Sequence, residues 1–201
     1  MSLVNVAIHA KQLAAWAAEL SERGFRNALR RAIDQSARAA RRITIDVIAK
    51  DIGVTKSKIA AAVPKVIATK AGDLAARWTV SKLRIGILNT QGASVSRTGG
   101  LTAQTHRLTG GGSASLHVAR AFIVTTAAGG KFVAFRKGRE RLPLKGVYAE
   151  HPATAMAQET GAARVTWQKE ADKQLSMRLP VEVQKAFNKE GLSASTPDSG
   201  D

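Results

Sequence analysis

Between Phe25 and Lys50, apolar or small residues return every three or four positions, at Phe25, Leu29, Ala32, Ser36, Ala40, Ile43 and Val47. No other stretch restricts the fold as strongly, because that spacing lines one face of a helix. Arg23, Arg26, Arg30, Asp34, Arg38 and Arg41 fall on the opposite side, so the helix is amphipathic with a basic stripe. Ahead of it, Ala10 to Glu22 is rich in alanine and suits a helix, with Gly24 expected to interrupt the two. Val4, Val6 and Ile8 alternate as in a short strand or arm. Thr55 stands where a short helix running to Ala62 would take its cap, and Pro64 would end it.

Beyond Pro64 the period changes. Val66–Thr69, Ala76–Val80 and Leu83–Leu88 are short, β-branched or aromatic, and set apart by turn residues such as Ala71, Gly72 and Asp73, which predicts strands. Asn89 to Ser115 holds Gly92, Gly99, Gly100 and Gly110 to Gly112 among Ser, Thr and Gln, and reads as a long loop ordered only against a partner. Leu116–Thr126 and Lys131–Lys137 read as a hairpin closed by Ala127 to Gly130. After Pro152 the spacing suits helix again from Ala155 to Ala186, with breaks expected at Gly161 and Pro180. The order of helices, strands and helices predicts an α+β fold. A long N-terminal helix and C-terminal helices surround a small antiparallel sheet, with a long flexible Gly-rich loop. The expected organisation is a single domain over 1–190, helical over 10–62, mainly strands over 65–150 with the loop at 89–115, and helical over 153–190. Residues 191–201 form a polar tail.

Composition bounds the chemistry. The 201 residues, 44% of them apolar, suffice for one core with projecting arms. Lys and Arg number 31 against 15 Asp and Glu, a formal charge of +16, which implies attraction to polyanions or acidic protein surfaces. There is no cysteine, so disulfides and thiolate metal sites are excluded, in keeping with a reducing compartment. Met1 to Leu13 lacks the pattern of a secretory signal, and no run approaches 18 uninterrupted apolar residues, so a soluble, non-secreted protein is expected.

The candidate chemical residues are sparse. His9, His106, His117 and His151 are scattered, without the helical i, i+4 pairing of a zinc site, and neither a metal nor a cofactor is expected. Gly110-Gly111-Gly112-Ser113 lacks the Gly-Lys-Ser/Thr step and the following helix of a phosphate loop. Acidic residues are spread along charged helix faces rather than gathered for acid–base work, so an enzyme is not expected. Trp78, Trp167 and Phe135 suit either core or interface, core being the commoner case. No helix-turn-helix spacing, ribonucleoprotein aromatic pair or basic-zipper heptad occurs, so specific DNA reading has no visible element, whereas non-specific backbone contact stays open.

One segment draws several of these threads together. Phe132 to Pro152, FVAFRKGRERLPLKGVYAEHP, runs from a strand through a basic turn into a proline-marked extended stretch. Through Phe135, Arg136, Leu142, Pro143, Leu144, Val147 and Pro152 it resembles the minor tail protein Z family of long-tailed bacteriophages, the tail completion proteins. The Ala/Arg run from Ala28 to Ala37 and on to Thr44, the basic stretch Val54–Ile59, and Met177–Val183 with its Arg-Leu-Pro step are similar to further parts of that family, in the same order. The resemblance implies a virion protein of the tail neck, assembled in the bacterial cytoplasm and acting as a homo-oligomeric ring, by analogy a hexamer. It also implies contact with the tail terminator, tail tube and head-completion or connector proteins, and no membrane. The expected contact residues are Arg30, Arg38, Arg41, Lys56, Lys58, Arg136, Arg139 and Arg141, with Pro143 and Pro152 fixing the path between them. The charge would serve either acidic faces of neighbouring subunits or DNA in the lumen, and a non-specific nucleic-acid-binding basic protein is the alternative.

Overall fold

The computed structural model describes residues 10–70, 72–106, 113–157 and 159–192. It is α+β, with a long N-terminal helix, C-terminal helices and small antiparallel sheets. The proposed arm at Val4–Ile8, the glycine triplet and the tail beyond Leu192 lie outside the described residues. By internal packing the chain groups into two compact units. The first takes the described residues up to Ile43, Lys65–Thr79 and the chain from Thr166; the second takes Thr44–Pro64 and Val80–Val165.

In the first unit, helix α1 (Ala10–Glu19), the N-terminal part of α2 (Glu22–Asp51) and most of α5 (Ala162–Glu190) bury a common apolar cluster. Trp16 and Leu20 meet Ala28 and Ala32 of α2 and Leu175, Leu179, Val183 and Phe187 of α5, with Phe25, Leu29 and Ile33 packed at its margin. The break between α1 and α2 falls at Leu20–Ser21 rather than at Gly24, which lies inside α2. Ser21 explains the shift. Its hydroxyl oxygen accepts from the Gly24 amide at 3.0 Å, capping α2, while its own N–H and O–H donate to the Glu190 carboxylate at 3.0 and 2.5 Å. A β-carbon at position 24 would collide with that carboxylate.

The break expected at Pro180 does not occur either, and α5 runs through it. Proline removes one i→i−4 bond, but Leu179, Val183 and Phe187 on the same helix are almost completely buried, and that packing outweighs a single lost bond. Gly161, by contrast, does separate α4 (Pro152–Ala157) from α5. Val66–Thr69 and Ala76–Val80 form no ladder. Among the described residues they meet at one isolated bridge, Ile67–Arg77, with a second, Lys70–Asp73, inside the turn between them. Trp78 on this arm rests against Trp167, the ring centroids 5.0 Å apart and the planes tilted by 48°.

Along α2 the buried positions are Ala28, Ala32, Ser36, Ala37, Ala40, Thr44, Ile45, Ile48 and Ala49, and six of them, Ala28, Ala32, Ser36, Ala40, Thr44 and Ile48, advance by four. Three of the seven expected core positions, Ala32, Ser36 and Ala40, are on that line. Phe25, Leu29, Ile43 and Val47 flank it half-buried. At 3.6 residues per turn each step of four overshoots by about 40°, so the buried line winds around the helix instead of running down one side.

The second unit holds both sheets. One has the order β1-β7-β6-β5, from β1 (Ile85–Gly86), β5 (Phe122–Thr125), β6 (Lys131–Arg136) and β7 (Leu144–Ala149). The β5–β6 hairpin closes as expected over Thr126–Gly130. Leu83–Leu88 contributes only the two residues of β1 before a 3-10 turn at Ile87–Asn89. Burial does not alternate along β6, since neighbours Val133 and Ala134 are both buried. The other sheet, β2 (Ser94–Ser96), β3 (Gly100–His106) and β4 (Ser113–Val118), occupies most of the segment read as a flexible loop. The reason lies in local alternation: Leu101 and Ala103 are buried while Thr102 and Gln104 face out, and Ser94 and Thr102 hydrogen-bond across the pair at 2.8 Å. The strand expected over Leu116–Thr126 is accordingly two, divided at Ala119–Arg120, where Arg120 has φ 58°. Thr55 precedes the short helix α3 (Lys56–Ile59), which continues as a 3-10 turn to Ala62, but its hydroxyl meets Ser57 rather than capping an amide.

Candidate functional site

The expected contact residues divide between the two units. On α2, the basic stripe is partly consumed inside the protein. Arg30 donates to Thr69 through Nε (to Oγ1, 3.4 Å) and Nη2 (to the carbonyl, 3.2 Å), while Asp34 accepts from the Thr69 amide at 2.8 Å. Thr69 is buried, so this part of the stripe clasps the Lys65–Thr79 arm. Arg41 is half-buried, and burial draws its pKa down. Arg38 is exposed, and Arg23, Arg26, Asn27 and Arg30 line a shallow cleft with Glu22, which pairs with Arg26 at 2.8 Å.

In the second unit Lys56 is paired with Asp46 at 2.7 Å, and Lys58 is exposed. Arg136, Arg139, Arg141 and Pro143 come together on one feature, the connection 137–143 from β6 to β7, whose residues are all exposed. The Arg136 guanidinium lies 4.8 Å from the Phe122 ring centroid, and its Nε points to the Arg141 carbonyl at 3.5 Å. The Leu142–Pro143 peptide bond is cis. Pro152 is buried as the first residue of α4, where a proline costs no hydrogen bond.

The sequence reading passed over Arg84 and Tyr148. Arg84 lies 5.5 Å from the ring centroid of Tyr148, which is 41% exposed. A signal for them exists in the chain: no Asp or Glu occurs between Asp73 and Glu140, while Arg77, Lys82, Arg84, Arg97, Arg120, Lys131 and Arg136 do. Apart from Arg77, which pairs with Asp73 at 2.9 Å, these cations have no acidic residue within the stretch, and what such a surface can do is bind anionic groups.

Among the histidines, His117 is exposed and His151 bonds to Thr154 Oγ1 at 3.0 Å. Among the described residues no group of three or more His, Cys, Asp and Glu side chains is placed to hold a metal ion. Asp51, at the C-terminus of α2, is the carboxyl most perturbed upward. Burial pushes its pKa to about 6, and its Oδ2 has no hydrogen-bond partner among the described residues. A raised carboxyl pKa is a stability cost that sets in as pH climbs from the ordinary value towards 6 and is complete above it. Asp51→Asn is expected to stabilise the protein by about 1 kcal/mol above that range and to change nothing near the ordinary carboxyl pKa, which thermal melts on either side of the window will measure.

No family model matches the chain, and neither a curated protein nor a solved structure matches it.

Proposed function

We propose that this chain is a structural virion protein of a long-tailed bacteriophage. It completes the head-proximal end of the tail and makes it competent to join a filled head, as one copy in a ring. The observation that carries the reading is the folded form of the segment that resembles the tail completion family. Strand β6 delivers Arg136 to its end, the exposed turn presents Arg139 and Arg141, the chain returns past Pro143 into β7, and Pro152 opens α4. A turn of that kind, held at both ends by sheet, offers charges to a neighbour at little cost in ordering. The partners in this reading are the tail terminator, the tail tube and the head-completion or connector proteins, with a hexamer as the ring. Among the described residues no helix is long and apolar enough to cross a membrane.

An early stop codon in the gene is the direct test. Electron microscopy is expected to show filled heads beside separate full-length tails, and normally joined particles would refute the assignment. Arg139→Glu with Arg141→Glu is expected to lower titre at least about tenfold, the scale of a lost charged contact, while the purified protein keeps its circular dichroism spectrum. The second reading, non-specific binding of nucleic acid, is favoured by the acid-free stretch between Asp73 and Glu140. It predicts DNA affinity that falls steeply with salt. Deleting Gly99 to Gly112, a change a free loop would tolerate, would here remove the central strand of a sheet.

A further inference from the structure

The two sheets of the second unit have four edges, and three of them are short or already flanked. β1 is two residues long, and β2 and β5 pack beside each other. The fourth edge is β4, which among the described residues pairs with β3 alone. Every second residue along such a strand turns its N–H and C=O away from the sheet, where water or another strand must take them up. Burial across the sheet stops short at this strand. Leu101 and Ala103 on β3 are 0% and 4% exposed, whereas Val118 and Leu116, their partners across the pair on the same face, are only half-buried. A further strand beside β4 would complete that apolar row. On the opposite face Ser115 and His117 are exposed. The strand also lacks the devices that keep an edge solitary: Ser113 to Ala119 holds neither proline nor any Lys, Arg, Asp or Glu, in a chain of formal charge +16.

We infer that β4 is a self-pairing edge, by which two copies of this chain join antiparallel, β4 to β4, into one sheet twice the width of the three-stranded one. The absence of charge selects the occupant. An acidic segment or a nucleic acid finds no cation on this strand to answer it. Elsewhere the surplus of Lys and Arg sets two copies against each other, so an uncharged strand is where they can approach. The pattern is also self-complementary. With the two-fold axis at His117, Leu116 of each copy stands across from Val118 of the other; with the axis at Leu116, the two leucines face each other. In both registers apolar residues continue the face where Leu101 and Ala103 already lie, and Ser115 and His117 stay on the polar one. A contact one strand long is small, so dissociation at about 0.1 mM is expected. A two-fold contact closes on itself and cannot propagate round a ring, so the inference goes beyond the virion reading and does not rest on it.

The test follows the full-length protein by sedimentation velocity and hydrogen exchange in about 0.15 M salt, where repulsion between exposed charges is screened beyond about 8 Å. Sedimentation is expected to move from monomer at about 10 µM to mostly dimer at about 1 mM. Over the same range, alternate amides of Ser115–Val118 should exchange about fivefold more slowly, the factor by which free strand falls at that affinity, while those of β6 and β7 stay as they were. Ser115→Lys with His117→Lys places like charges opposite one another in either register and should hold the protein monomeric with its circular dichroism spectrum unchanged. Ser115→Glu with His117→Glu should do the same, and an equal mixture of the two variants should restore the dimer. A protein monomeric at every concentration, a dimer that survives the lysine pair, or a mixture that stays monomeric would overturn the inference. Should either variant fail to fold, exchange in the parent protein decides alone, and protection that grows with concentration in other strands or nowhere refutes the self-pairing edge. Joining of phage heads and tails is not measured, so failure here leaves the virion reading untouched.

Discussion

Gly100→Ala is expected to unravel the three-stranded sheet while sparing the four-stranded one. Gly100 begins β3 with φ +75°, and a β-carbon there would overlap the Val118 carbonyl oxygen and approach the Arg120 amide and Ala119 Cα at 3.0 and 3.1 Å. All three neighbours are backbone, so no rotamer change relieves the overlap. The left-handed conformation adds its own penalty for any side chain. The two together cost on the order of 3 kcal/mol. Hydrogen exchange is the appropriate readout: amides of β2, β3 and β4 should lose protection, and those of β6 and β7 should keep it. Gly92→Ala is the control, since its φ of +71° carries the same conformational strain but its nearest neighbours are Gln104 side-chain atoms at 3.9 Å. It should cost only about 1 kcal/mol. Equal effects at both sites would mean that the Val118–Arg120 turn simply moves aside.

Glu182→Ala is expected to be the most damaging change at a charged position in the helical unit, at about 2 kcal/mol, the penalty for opening a buried charged network whose basic partners still reach water. The carboxylate is 3% exposed, on α5. It accepts from Lys185 Nζ at 2.8 Å, from Arg31 Nε at 2.7 Å and from Gln35 Nε2 at 3.4 Å, and Gln35 in turn accepts from Arg178 at 3.2 Å. The hydrogen bond from Lys185 is the main reason the carboxyl titrates below its ordinary value; burial works against it, and Arg31 adds to the lowering. A lowered carboxyl pKa means the stabilisation is complete above the ordinary value of 4.5 and is lost as pH falls through the lower, folded-state value. Urea titrations should therefore show a large difference between parent and variant at neutral pH and a much smaller one in acid. A difference that does not change with pH would assign the loss to the missing side-chain volume instead.

The fold class was legible because its signals are local. The 3.6-residue period through α2, the short closure between β5 and β6, and Gly161 all act on neighbours in the chain. The failures came where a distant residue or a short alternation decided the matter. Ser21 ends α1 because Glu190, 169 positions away, completes its hydrogen bonds, and Pro180 fails to end α5 because the residues around it are buried. The Leu101–Gln104 alternation was masked by surrounding glycine and serine. For the contact residues, the sequence identified the cations but not their obligations: Arg30 and Lys56 are spent on Thr69 and Asp46, which no spacing in the chain announces. Arg84 and Tyr148 are far apart in sequence and meet only because β1 pairs with β7.

The winding buried line on α2 bears on how such a chain can vary. Because each side chain of that line sits about 40° around from the one before, every position on it is committed to its own direction, and adding or removing a single residue would turn all that follows by about 100°. Exchange of one small residue for another, alanine for serine as already mixed along the line, keeps every direction intact. Along that line the helix tolerates a change of small residue more readily than a change of length.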